Sequence, residues 1–190
     1  MRRLKPFILL LLSVISVGCQ NGYVPKPYGY IRIDLPENEY TELSLANYPY
    51  KFDISKYASA VEREEEGEIY WLDIQYDSFD ATVHCSYKPI KRNLRELTDD
   101  AQSFVYKHAG KATSIPEQEF LNDYKRVYGV FFELKGNTAS PYQFYLTDSV
   151  NNFFRGAVYV NCHPNQDSLA PVIDYLQSDI RHLIETFEWK

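Results

Sequence analysis

The sequence predicts an α+β domain, a mainly antiparallel sheet of about five to seven strands packed by two main helices. Three observations carry that expectation: period-two alternation through the middle of the chain, one segment of helical period set among the strands, and a long apolar stripe of helical spacing near the C-terminus. Strands joined by short turns pair antiparallel, and a helix with one apolar face must bury it on a sheet.

The stretch IYWLDIQY, 69–76, places Tyr70, Leu72, Ile74 and Tyr76 on one face, and ATVHCSY, 81–87, does the same with Ala81, Val83, Cys85 and Tyr87. Asp77, Ser78 and Asp80 between them supply turn chemistry, so the two form a hairpin. The preceding run EREEEGE, Glu62 to Glu68, reads as a solvated loop, because like charges repel and nothing in it alternates. As a cation site these carboxylates would need convergent geometry. After the hairpin the period changes. Leu94, Leu97, Ala101, Phe104, Val105 and His108 fall on one side of a helix, with Asn93 and Glu96 as a capping pair and Gly110 as its stop. Strand patterns return at 124–134, 141–147 and 153–162, divided by Gly136 and Asn137 and then by Asp148, Asn151 and Asn152, which predicts a meander. The closing helix carries Leu169, Val172, Ile173, Leu176, Ile180, Leu183, Ile184 and Phe187 at helical spacing, with Asp167 or Ser168 as N-cap and Pro171 in the first turn. This order of hairpin, helix, meander and helix resembles the PsbP/Mog1 type of α/β/α sandwich, a likeness of fold that implies no function.

The N-terminus decides the compartment. Arg2, Arg3 and Lys5 precede an apolar run from Phe7 to Val17, a positive region followed by a secretory core. A membrane-spanning helix needs roughly 20 apolar residues, and this run is shorter. Ser16 and Gly18 lead directly into Cys19, the pattern of a bacterial lipoprotein signal in which the thiol is acylated and the chain is cut before the cysteine. Residues 1–18 are then a signal peptide, 19–27 a lipidated cysteine and proline-bearing tether, and 28–190 a single domain. Several acyl chains, at about 0.8 kcal/mol per buried methylene, anchor such a protein stably. The domain faces the periplasm, and Gln20, Asn21 and Gly22 include no acidic residue that would argue for inner-membrane retention, which leaves both membranes open with the outer one slightly favoured. Loss of the three N-terminal cations takes the formal charge from -6 to -9, which argues against nucleic acid as a partner.

Chemistry-bearing residues are few. His84-Cys85 and Cys162-His163 pair two zinc-ligand types, but neighbours on a strand point to opposite faces and cannot converge on one ion. Cys85 shares parity with Val83 and Tyr87, and Cys162 with Val158 and Val160, so both thiols are expected in the core, either bridged as a disulfide or free. There is no G-x-S-x-G elbow, no H-x-x-x-H spacing and no Gly-rich phosphate loop, so neither an enzyme nor a cofactor is expected. Aromatic residues make up 16% of the chain, with 17 tyrosines, the most unusual feature of the composition, and many of them alternate into the core. Tyr28, Tyr30, Tyr48, Tyr50 and Tyr142 fall near turns or prolines, where a ring can face a partner or simply cover a sheet edge. In GNTASPYQF, 136–144, the residues Pro141, Tyr142 and Gln143 form the candidate partner surface, the alternative being a plain hairpin connection.

Three stretches carry a resemblance to a known family: PKPYGYIRIDLPENEY at 25–40, GNTASPYQFYLTDSVNNFFRGAVYVN at 136–161 and DSLAPVIDYLQSDIRHLIETFEW at 167–189. Together they resemble the gliding motility-associated lipoprotein GldD family over essentially the whole mature chain. The resemblance implies an envelope lipoprotein required for gliding and for the linked type IX secretion apparatus, acting as a binding or assembly module. Its implied partners are other gliding or type IX secretion envelope proteins and the membrane that holds the anchor. A peptidoglycan-binding lipoprotein and an envelope hydrolase are the alternatives.

Overall fold

Alternating burial along the chain builds the sheet, and the chain's two long amphipathic segments cover it. The computed structural model describes residues 35–107, 109–161 and 166–190. In chain order its elements are β1 (Tyr40–Leu43), β2 (Tyr50–Ser55), β3 (Ser59–Glu65), β4 (Glu68–Tyr76), β5 (Ala81–Pro89) and α1 (Leu94–Lys107). They continue with β6 (Ala112–Ser114), β7 (Glu117–Asn122), β8 (Val127–Glu133), β9 (Lys135–Gly136), β10 (Tyr142–Thr147), β11 (Asn152–Val160), α2 (Gln166–Thr186) and β12 (Glu188–Trp189). The principal sheet has seven strands in the order β3-β4-β5-β11-β10-β8-β7, every neighbouring pair antiparallel. The α+β class expected from sequence is therefore the fold.

The inner face of this sheet carries Leu72, Ile74, Val83, Cys85, Phe144, Leu146, Phe154 and Val158, all at most 1% exposed. On it lie α2 and a small sheet of order β1-β2-β12. Four rings lock these layers together: Phe154 sits 4.8 Å from Tyr50, 5.8 Å from Phe52 and 5.1 Å from Phe187, centroid to centroid. Removing a fully buried ring of this kind costs about 3–5 kcal/mol. Gly156 opposite Cys85 has no room for a side chain, since a Cβ there would lie 2.3 Å from the Phe144 ring. The outer face is covered in part. Helix α1 packs over β10 and β11, and its Val105 joins Phe132 and Leu134 in a second, smaller core.

Several local expectations are corrected. Glu62 to Glu65 are not loop: they complete β3, which pairs with β4 through a register shift between Arg63 and Glu65, and the turn follows at Glu66 and Gly67 (φ 81°). Charged residues suit this position because β3 is a sheet edge, where they deter further pairing. The oxygen of the Asn93 side chain accepts from the Lys91 amide at 2.8 Å, not from the amide of Glu96, so the capping pair does not form. Helix α2 begins at Gln166, which places Pro171 beyond its first turn. The strand expected from residue 124 starts at Val127, after a turn in which Arg126 has φ 52°.

Candidate functional site

Where α1 stops short of covering β4 and β5, the outer face opens into a groove of about 330 Å³. Alternation along the strands sets its floor. His84, Ser86 and Lys88 are successive outward positions of β5, and Phe153 and Arg155 are those of β11. Arg63 and Trp71 face each other across β3 and β4. The wall is α1, whose Leu97, Asp100, Ala101 and Phe104 recur at i, i+3, i+4 and i+7 and so share one face. Phe104, expected on the buried side, is instead 44% exposed at the rim.

Trp71 is fixed by its indole N–H, which donates to the Tyr87 carbonyl at 3.0 Å. Its ring carries Arg63 at 4.7 Å and Lys88 at 5.4 Å from the centroid. The preceding Tyr70 has φ 60°, an unusual conformation for a bulky residue, beside the register shift between Arg63 and Glu65, and its carbonyl accepts from Tyr50 Oη at 2.6 Å.

The groove's fixed cations are individually answered, with one exception. Asp73 Oδ1 lies 2.8 Å from His84 Nδ1 and 3.2 Å from Arg63 Nη1. Lys88 pairs with Glu68. The ion pairs among the described residues take in these cations but not Arg155. Its Nη2 donates instead to Gln143 Oε1 at 2.8 Å, and its guanidinium lies 4.7 Å from the Phe104 centroid. Gln143 is held in turn by its amide nitrogen, which donates to Ser140 Oγ at 3.2 Å. The reverse amide orientation would point an NH2 at the guanidinium, so the assignment is fixed by chemistry. Burial lowers the Arg155 pKa from its ordinary value, yet an arginine remains cationic at any physiological pH.

Asp73 and His84 make a carboxylate–imidazole pair of the kind hydrolases use, with Ser86 two residues along the strand. The pair lacks the rest of that machinery: Asp73 Oδ1 is shared with Arg63, and no serine bonds the imidazole among the described residues. Among those residues there is also no cluster of three or more metal-ligating side chains.

The expected partner surface is placed differently. Tyr142 is 2% and Gln143 1% exposed, and Pro141 is buried, so this segment is not an outward contact face. Tyr142 stacks on Phe131 and, with Pro141, Ile173 and Asp174, lines a smaller cavity of about 160 Å³ beside α2. Tyr48 and Tyr50 are likewise buried, Tyr50 at the start of β2 and Tyr48 in the loop just before it. Among the described residues the exposed tyrosines are Tyr57, Tyr106 and Tyr124. Cys85 is buried on the opposite face from His84, and burial pushes its thiol well above the ordinary range. Cys19, Tyr28, Tyr30, His108, Cys162 and His163 lie outside the described residues, as does the Cys162 half of the proposed disulfide.

A second polar cluster fastens the start of the described chain to α2. Asp179, 3% exposed, accepts from Tyr40 Oη at 3.1 Å and Asn38 Nδ2 at 3.3 Å, and burial raises its pKa. His182 stacks on Tyr40 at 3.6 Å and bonds Asp53 at 3.1 Å. The groove itself was not anticipated from sequence. Its one legible signal was the outward parity of His84, Ser86 and Lys88 on a strand whose other face is apolar.

Comparison with known proteins came to three findings. The family described as gliding motility lipoprotein GldD matches residues 20–189. No curated protein matches the chain. The solution structure of cyanobacterial PsbP (CyanoP) from Synechocystis sp. PCC 6803 aligns over 87% of this chain and 100% of its own, at 12% identity and a TM-score of 0.46.

Proposed function

Because the chain belongs to the GldD family of gliding motility lipoproteins, we propose that it serves gliding and the linked type IX secretion apparatus as a binding and assembly module of the cell envelope, without chemistry of its own. The acyl chains on Cys19 hold the domain at the membrane surface, facing the periplasm from the outer membrane, and the tether of residues 19–27 keeps it there. Confinement to a surface raises its effective concentration toward membrane-held partners, so a weak contact suffices for assembly. No helix among the described residues is long and apolar enough to cross a membrane.

The observation that carries this reading is the groove beside α1, where an exposed aromatic ring and three fixed cations meet on one side of an otherwise acidic chain. Aromatic and arginine side chains are the groups that dominate protein interfaces. The wall-binding alternative has less support here. The Trp71 ring, the natural platform for a sugar, is already occupied by Arg63 and Lys88. The test is crosslinked affinity purification of the full-length lipidated chain from intact envelopes, beside Cys19→Ser and Phe104→Ala forms. Gliding or secretion components that depend on both residues support the reading. Recovery of peptidoglycan fragments alone would replace it with wall binding.

A further inference from the structure

Arg155 holds a charge that the described protein does not answer. In a chain of formal charge -6, the groove is lined by three fixed cations, Arg63, Lys88 and Arg155, against one carboxylate, Asp100. Asp73 and Glu68 neutralise the first two. Arg155, only partly exposed, meets neutral groups: the Gln143 side-chain carbonyl and the Phe104 ring. A partly buried cation without a counter-charge is costly, and a protein keeps one where a ligand supplies the anion. Asp100 stands exposed on α1 at the rim and makes no ion pair with Arg155 among the described residues.

We propose that this groove binds a peptide carboxylate carried next to an apolar side chain, with the carboxylate on Arg155 and the apolar group against Leu97 and Phe104 of α1. The proposal deepens the reading of the groove as the partner contact and rests on it. Gln143 takes one guanidinium nitrogen and so sets the plane of the fork, leaving N–H donors for a carboxylate that can be met bidentately. Gln143 is thus a positioning residue, and its burial, which removes it from the surface, is what fits it for that task. The groove's about 330 Å³ lies at the low end of the roughly 300–1,000 Å³ of small-ligand sites, enough for a one- or two-residue anchor and too little for a longer segment. Such a carboxylate has two sources, a chain terminus or an internal acidic residue.

The test uses the full-length lipidated chain in detergent, titrated with three peptides: acetyl-Ala-Phe with a free terminal carboxylate, the same peptide as its amide, and acetyl-Phe-Glu-Ala-amide with an internal carboxylate. At least one carboxylate peptide should bind roughly tenfold or more tighter than the amide, and which one does so identifies the source. Arg155→Gln should abolish that preference, and Phe104→Ala, which removes an exposed ring, should weaken binding of both acids while leaving the melting temperature nearly unchanged. Equal binding of acid and amide, or no binding by any peptide to the folded chain, overturns the proposal. Should Arg155→Gln fail to fold, the acid-to-amide ratio in the native protein and the Phe104→Ala result decide. If the peptides fail while crosslinks from position 104 to an envelope protein persist, only the ligand class is wrong. If both fail, the groove reading falls too.

Discussion

Replacing Asp148 with alanine should cost about 2–4 kcal/mol, because one carboxylate organises the whole β10–β11 turn. Asp148 Oδ1 accepts the amides of Val150, Asn151 and Asn152 at 2.9, 2.7 and 2.9 Å, and Oδ2 accepts from Asn152 Nδ2 at 2.9 Å. Asn152 passes the order on by accepting from Tyr87 Oη at 2.6 Å. Bonds to a charged group contribute about 1.5–3 kcal/mol each, but the turn tip is exposed, so water re-solvates part of what the alanine abandons and the sum is not reached. For a domain of this size the loss lowers the melting temperature by roughly 6–12 °C. Asp148→Asn keeps an acceptor and loses the charge, and should cost about 1–2 kcal/mol.

The pH dependence separates charge from shape. Burial raises the Asp148 pKa, but the bonds from the amides of Asn152, Val150 and Asn151 outweigh it and leave the pKa below the ordinary value of 3.8. A group lowered on folding stabilises above its unfolded pKa and stops doing so as pH falls through its folded value. The stability gap between the native chain and Asp148→Asn should therefore be full above pH 3.8 and close as pH drops below it. Urea midpoints at unchanged m, measured from pH 7 to pH 3, read both effects. A cost below about 1 kcal/mol for the alanine, or a gap that ignores pH, would refute the reasoning.

Other consequences are equally direct. Gly156→Ala should destabilise by about 1–3 kcal/mol or abolish folding, as its Cβ meets the buried Phe144 ring, and a midpoint unchanged in urea would contradict the packing. Burial raises the Asp179 pKa, so its contribution is greatest below 3.8 and declines as pH rises through the folded value. Asp179→Asn should accordingly lose stability relative to the native chain at low pH and match or exceed it at pH 7, by the same titration. Cys85, fully buried with its thiol pKa raised, should resist alkylation in the native state and react at once in denaturant without reductant. Failure to react in denaturant would demonstrate the bridge to Cys162.

The sequence was most legible where one face of an element is wholly apolar. The parity of Leu72, Ile74 and Tyr76 against Ala81, Val83 and Cys85 appears unaltered in the pairing of β4 with β5. The stripe from Val172 to Phe187 is buried as its spacing requires. It was least legible at edges. Strand β3 is carried by pairing with β4, not by its own alternation, so its glutamates masked it. Tyr142 and Gln143 misled for a related reason: a proline and a nearby turn suggest exposure, but the register of β10 between β8 and β11 decides burial, and register is a tertiary property. The groove needed four strands and a helix brought together from residues 63 to 155, a juxtaposition that no local pattern encodes.

The central claim, that this groove is where the lipoprotein meets its envelope partner, is tested most directly by placing a photo-crosslinking phenylalanine analogue at position 104 in living cells. The control position is 124, which is 98% exposed in the β7–β8 turn beyond the opposite edge of the sheet. The account predicts a discrete crosslink to an envelope protein from position 104 and none from position 124. The same adduct from both positions, or none from position 104, would contradict it.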